Sequence, residues 1–128
     1  MMTQLLLVAA GGGLGAILRF LVSNSVYAVM GRDFPYGTLT VNVLGSLLMG
    51  MLYVLLVERL AFSVEWRAFL MIGVLGAFTT FSTFSIETLL LIETGEHIKA
   101  LLNMLTSVIL CVLATWAGVA GFRHFYGI

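Results

Sequence analysis

Four long runs of apolar residues dominate this 128-residue sequence and leave only short polar segments between them. Hydrophobic residues make up 61% of the chain and charged residues 9%, whereas a soluble domain carries about 25% charged residues. A helix needs roughly 20 apolar residues to cross a bilayer. The sequence therefore predicts an all-α membrane protein with a single domain, residues 1–128. The predicted transmembrane helices cover residues 5–30, 38–57, 66–92 and 98–122.

Charge and cysteine content exclude several other classes. The formal net charge is zero and no basic run occurs, so neither nucleic acid nor polybasic lipid targeting is expected. The single cysteine, Cys111, lies within an apolar run, which excludes a disulfide framework. The N-terminus lacks the basic region of a secretory signal. We therefore expect the first run to be a retained helix.

The third apolar run contains a segment that a plain lipid-facing helix would not use. Its residues 76–85 read GAFTTFSTFS, with five hydroxyl side chains placed among three phenylalanines. Ser and Thr offer the backbone competing hydrogen bonds, and Gly76 removes a side chain that would stiffen the turn. Non-helical backbone at membrane depth is tolerated only within protein or beside a wet cavity. The segment therefore predicts a third helix broken mid-membrane beside an ion or solute path.

The first run combines closely spaced glycines with a cation. Gly11 and Gly15 form a G-x-x-x-G pair, which lets another backbone approach closely in lipid. Arg19 must snorkel to the interface, pair with an acid or face a polar vestibule. Glu87, in the third run, has three possible roles at this point: a proton relay, a partner for Arg19 or an interfacial charge.

The second run places Asn42, Ser46 and Gly50 on one helix face, because they follow at intervals of four. Ser46 and Gly50 are compatible with close helix packing alone. Asn42 is different, since a carboxamide at bilayer depth must find partners. It is either an interhelical hydrogen-bonding residue or a donor in a pore.

The fourth run carries a polar stripe with a spacing of four residues, on an otherwise apolar helix. Its members are Asn103, Ser107, Cys111 and Thr115. Packing of small residues explains part of such a stripe. The whole stripe predicts the wall of a narrow polar track.

The distribution of cations is too even to fix one orientation in the membrane. The side that holds both termini carries Arg59, Arg67 and Arg123. The opposite side carries Arg32 and Lys99, and Arg19 is not assigned to either side. Orientation follows the bias of Lys and Arg between the two sides, and this bias is small. Our hypothesis is that the chain inserts both ways up and assembles as an antiparallel homodimer with dual topology.

The polar residues of this sequence suit transport better than catalysis. No Ser/His/Asp set, carboxylate pair, metal-ligand cluster or nucleotide loop occurs, so no enzyme is predicted. Hydroxyls, amides and phenyl edges present positive hydrogen-bonding surface without fixed charge, which suits a small anion that must bind and still leave. A broken helix also frees carbonyl oxygens that can hold a cation. These residues alone leave the identity of the ion open.

Residues 76–84, GAFTTFSTF, closely resemble the third-helix signature of the small bacterial fluoride channels, the Fluc or CrcB-type family. The glycine-rich start of the chain with Arg19, and the run VNVLGS at 41–46, are similar too. The resemblance implies an antiparallel dual-topology homodimer in the bacterial inner membrane. It also implies two fluoride pores per dimer, passive export of fluoride and protection against its toxicity.

The resemblance further implies roles for individual residues. It implies that Phe81 and Phe84 line the pores and that Asn42 is a hydrogen-bonding partner. Ser82 and Thr83 would lie beside them. The polar track maps to Ser107, Cys111 and Thr115, and the vestibule to Arg19. A central structural sodium ion would be held by the backbone carbonyls of Gly76 and Thr79 from both subunits. Cys111 departs from the family pattern, where a hydroxyl is expected.

Two other classes compete with the channel. A small proton-coupled multidrug transporter needs a carboxylate in its first helix, where this chain has Arg19 instead. A non-conducting assembly subunit accounts for Gly11 and Gly15 but not for the dense Thr/Ser/Phe segment. A third alternative is a channel whose substrate is a different anion or a cation.

Overall fold

The structure is a computed structural model that describes residues 1–59 and 61–128. These residues form helices and connecting segments, without a strand among them. The elements in chain order are α1 (Met2–Met30), α2 (Tyr36–Leu52), a π-helical segment (Tyr53–Glu58), α3 (Val64–Arg67), a second π-helical segment (Ala68–Leu75), α4 (Gly76–Phe78), α5 (Phe81–Glu93) and α6 (His97–Tyr126).

Four stretches of these helices are long and apolar enough to cross a membrane. We call them the first to fourth spans, and they are Met2–Met30, Tyr36–Glu58, Val64–Glu93 and His97–Tyr126. The predicted all-α architecture with four membrane-length helices is therefore confirmed. The ranges predicted from hydropathy lie inside the observed spans, which extend a few residues further into the polar ends.

Short turns connect the first span to the second and the third to the fourth. The first span ends at Gly31, whose φ of 82° is a left-handed conformation that favours glycine, and Pro35 precedes α2. Gly95 has a φ of 81° in the turn between α5 and α6. Such short turns bring consecutive spans side by side in opposite directions.

Glycines bring the first span against the third. A Cβ atom on Gly11 would meet the Phe69 carbonyl oxygen and lie 3.1 Å from Gly73 Cα. A Cβ atom on Gly15 would meet the Val74 carbonyl oxygen. Both glycines are buried, so the close approach predicted from their spacing is confirmed.

A similar seam joins the second span to the fourth. A Cβ atom on Gly50 would meet the Thr115 carbonyl oxygen, and one on Gly118 would meet the Leu47 carbonyl oxygen. Close contact along this seam places the polar faces of α2 and α6 side by side. The core lies next to it, where Val41 of α2 packs with Leu75 and Phe78 of the third span.

We expect Gly15→Ala to destabilise the protein by about 1–3 kcal/mol, because the added methyl group meets backbone that cannot rotate away. Gly13→Ala is the matched control, since a Cβ atom there meets nothing within 4 Å. It should be neutral or slightly stabilising, because alanine favours helix. Thermal unfolding of the two purified variants in detergent measures both effects. Equal melting temperatures would show that the seam does not depend on Gly15.

Candidate functional site

The third span is interrupted at two threonines well inside its length. Thr79 has φ −86° and ψ 157°, and Thr80 has φ −152° and ψ 113°, so the backbone is extended at both residues. Helix resumes at Phe81. The hydroxyl-rich segment singled out in the sequence therefore contains a non-helical step, as its competing hydrogen-bond groups indicate.

Asn42 of α2 bridges this interruption with two hydrogen bonds. The Thr80 amide donates to Asn42 Oδ1 at 2.7 Å, and Asn42 Nδ2 donates to the Thr80 carbonyl at 3.0 Å. In a continuous helix the Thr80 amide would instead donate to the Gly76 carbonyl. The side chain of one span thus replaces the backbone partner that the other span has lost. The interhelical role considered for Asn42 is observed, and the second proton on Nδ2 remains available.

The hydroxyl of Thr80 starts the next helix. It accepts from the Thr83 amide at 3.2 Å, which is the N-cap bond that Thr and Ser commonly supply. The same hydroxyl donates to Thr83 Oγ1 at 3.0 Å and lies 3.4 Å from Ser82 Oγ. Ser82 and Thr83 therefore form a hydroxyl cluster with Thr80 at the first turn of α5.

An open groove of about 390 Å³ begins at the interruption and runs between α2, α5 and α6. It brings together six of the residues predicted to form a pore. These six are Asn42, Phe81, Phe84, Ser107, Cys111 and Thr115. Ser82 does not line this groove. Thr83 lines a separate cavity of about 310 Å³, together with Arg19 and Thr80.

Two phenyl rings stand at the α5 wall of the groove. The ring centroids of Phe81 and Phe84 are 5.3 Å apart, with an interplanar angle of 46°. Phe81 is 77% exposed, although it lies in the middle of the third span. The edge of a phenyl ring carries partial positive charge, so exposed ring edges can face an anion.

The polar stripe of α6 divides between the groove and the protein interior. Ser107 and Thr115 line the groove, but their hydroxyls donate to Asn103 Oδ1 at 3.4 Å and to the Ser46 carbonyl at 3.1 Å. Cys111 is a free, half-buried thiol in the groove wall. Asn103, the first residue of the stripe, is 1% exposed and donates to Thr88 Oγ1 at 2.8 Å. Asn103 is thus an interhelical contact and not part of the groove wall.

The carbonyl oxygens proposed for a cation lie on the N-terminal side of the same interruption. The Thr80 amide donates to Asn42 and the Thr83 amide donates to Thr80 Oγ1, so neither closes a helical turn. The carbonyls of Gly76 and Thr79 therefore lose the donors that an α-helix would supply four residues later. Gly76 is exposed at the surface of the chain. Carbonyl oxygens freed in this way fit a sodium ion, which unwound helix backbone commonly coordinates.

Glu87 lies in a polar cluster outside the groove. Its carboxylate accepts from Thr38 Oγ1 at 2.6 Å and from the Tyr27 hydroxyl at 2.9 Å. The guanidinium of Arg32 lies 4.4 Å from the centre of the Tyr27 ring. In the described residues, no ion pair joins Glu87 to Arg19. Sequence reasoning missed Tyr27 and Thr38 because neither lies near Glu87 in the chain or belongs to a periodic pattern.

Ser46 and Thr80 line the groove, although the sequence patterns assigned neither of them to the site. The sequence is compatible with a packing role for Ser46, whereas the structure places this residue in the groove lining one turn after Asn42. The spacing of four residues from Asn42 was the available signal. Met49, Val108 and Val112 complete much of the apolar lining.

A largely apolar groove with a few polar side chains lies beside a helix interruption, in a chain with four membrane-length helices. These features are those of a multi-pass membrane protein of the channel or transporter class. The family model described as "CrcB-like protein, Camphor Resistance (CrcB)" matches residues 6–119. The chain belongs to this family.

Three curated relatives carry the name "Fluoride-specific ion channel FluC". The protein of Hydrogenovibrio crunogenus is 51% identical over 123 residues, which cover 96% of this chain and 93% of that protein. The protein of Magnetococcus marinus is 53% identical over 116 residues, which cover 91% of this chain and 94% of that protein. The protein of Methylococcus capsulatus is 55% identical over 115 residues, covering 90% of this chain. The match spans only 50% of the Methylococcus protein, which is about twice as long.

We expect Asn42→Ala to loosen the interruption, because it removes both bonds to Thr80 and leaves a backbone N–H and C=O without partners. Each unsatisfied group costs about 1–3 kcal/mol. Hydrogen exchange should therefore become faster at residues 79–83. Asn24→Ala is the control, since Asn24 accepts only one exposed bond from Arg32. Unchanged exchange at 79–83 in Asn42→Ala would contradict the bridging role.

Proposed function

We propose that this protein is a fluoride-selective channel that allows passive export of fluoride across the bacterial plasma membrane. Named relatives at about half identity over most of the chain support the substrate. The observation that carries the proposal is the groove itself, in which two phenyl rings, a carboxamide and a stripe of hydroxyl and thiol groups meet at a helix interruption. None of the described residues that line this groove carries a formal charge.

The groove lining supports a mechanism in which neutral donors replace water around the ion. Fluoride moves past the ring edges of Phe81 and Phe84 and accepts a hydrogen bond from the second amide proton of Asn42. The Ser107 hydroxyl makes only a long 3.4 Å bond to Asn103, so it can turn toward the ion at small cost. Neutral groups hold an anion weakly enough for it to leave again.

Other predicted site residues have supporting roles in this proposal. Thr115 and Cys111 continue the path along α6, and Cys111 contributes only a weak S–H donor. Ser82 and Thr83 lie at the first turn of α5, beside the ring of Phe81. Arg19 lines the neighbouring cavity with Thr83, where its charge would raise the local concentration of anions as a vestibule residue.

The proposed assembly is an antiparallel homodimer with two pores. The groove wall includes Phe81, whose apolar side chain is exposed: the residue is 77% accessible. A second copy would cover this apolar ring and close the path. The nearly even distribution of cations between the two ends supports insertion in both orientations.

A structural sodium ion at the dimer centre is part of the same proposal. The carbonyl oxygens of Gly76 and Thr79 from both subunits would hold it. When bound, the ion supplies a fixed positive charge that favours an anion nearby. The chain's own contribution is the interruption that frees these carbonyls, which depends on Asn42 and Thr80.

We expect Phe81→Ile to reduce fluoride efflux at least tenfold, because the aliphatic side chain keeps the apolar volume but removes the positive ring edge. Efflux from liposomes loaded with fluoride, followed with an ion-selective electrode, measures the rate. Phe125→Ile is the matched control, since Phe125 is 78% exposed near the end of α6 and lies outside the groove. It should leave efflux unchanged.

Chloride efflux from parallel liposomes decides selectivity, and wild-type protein should release fluoride but not chloride. Absence of fluoride efflux from folded wild-type protein would overturn the proposed channel function and favour a non-conducting assembly subunit. Fluoride movement that requires a proton gradient would instead favour a small coupled transporter.

A further inference from the structure

The hydroxyl of Ser46 differs from several other Ser and Thr hydroxyls in the second and third spans. Thr40, Thr79 and Thr88 each donate to the carbonyl four residues earlier, at 2.7, 3.0 and 2.7 Å. Ser85 does the same at 2.9 Å. Ser and Thr side chains inside a helix commonly make this local hydrogen bond. Among the residues that the structure describes, the Ser46 hydroxyl makes no such bond and has no other protein partner.

The groove contains several hydroxyl groups, and most of their protons are already committed to protein acceptors. The hydroxyl-bearing residues of its lining are Ser46, Thr79, Thr80, Ser107 and Thr115. The hydroxyl of Thr79 donates to Leu75, and that of Thr80 to Thr83. The hydroxyl of Ser107 donates to Asn103 in α6, and that of Thr115 donates to the Ser46 carbonyl in α2. In the described chain, Ser46 is therefore the groove hydroxyl that donates to no protein acceptor.

The position of Ser46 places this proton on the path. Ser46 lies one helical turn after Asn42, and its carbonyl accepts from Thr115 Oγ1 at 3.1 Å, so it stands where α2 and α6 approach each other. Ser46 is half-buried and belongs to the groove lining. A donor at this point would face an ion that has passed the phenyl rings and is entering the stretch lined by Cys111 and Thr115.

We propose that Ser46 is a fluoride-contacting residue, which donates a hydrogen bond to the ion between the α2 and α6 walls of the groove. The inference rests on the proposed fluoride function and adds a contact from α2 to those assigned above. A hydroxyl without a protein partner binds an anion at no cost in broken protein bonds. Hydrogen bonds to a charged partner are about twice as strong as neutral ones.

Three variants test the contact in liposomes. Ser46→Ala removes the donor and should reduce fluoride efflux about tenfold and raise the half-saturating fluoride concentration. Ser46→Cys keeps the side-chain volume with a weaker donor and should give intermediate values. Thr40→Ala is the control on the same helix, because its hydroxyl is bonded to Tyr36 and lies outside the groove. It should behave as wild type.

The outcomes separate this inference from the proposed function. Wild-type efflux from Ser46→Ala, in a preparation where Phe81→Ile blocks efflux, overturns the contact and leaves the channel in place. A lower melting temperature and a lower maximal rate, with an unchanged half-saturating concentration, would show a packing role and also overturn it. A wild-type protein that releases no fluoride overturns the proposed function itself.

Discussion

The double hydrogen bond between Asn42 and the backbone of Thr80 is the interaction on which the site depends. Extended backbone within a membrane-length helix leaves amide and carbonyl groups that cost about 1–3 kcal/mol each when they are buried without partners. Asn42 supplies both partners at once, at 2.7 and 3.0 Å. Because the step is stabilised in this way, Phe81 and Phe84 follow it on the groove wall, and the Gly76 carbonyl is released.

Close backbone contact brings the α2 and α6 walls of the groove together. Gly50 and Gly118 let α2 and α6 approach so closely that Thr115 reaches the Ser46 carbonyl across the seam. Gly15 does the same for the first and third spans. Small residues at helix crossings are what membrane bundles use for tight packing, since lipid offers no hydrophobic driving force between helices. The polar faces meet as a consequence of this packing.

Charge is kept out of the groove and placed beside it. Glu87 lies in a separate cluster with the hydroxyls of Tyr27 and Thr38, and Arg19 lines another cavity. A fixed cation in the path would hold an anion too tightly, and a carboxylate would repel it. The separation of charged groups from the neutral donors agrees with membership of a family whose relatives are named as fluoride channels.

The sequence by itself determined the four membrane-length helices, the interrupted segment and the family, because hydropathy, local hydrogen-bond competition and a specific motif are all properties of neighbouring residues. Only the tertiary structure decided which hydrogen-bond donors are bonded to protein acceptors. It paired Asn42 with Thr80, turned Asn103 inward to Thr88 and left the Ser46 proton available. Periodicity gives a residue's helix face, whereas its hydrogen-bond partner depends on how another helix crosses that face.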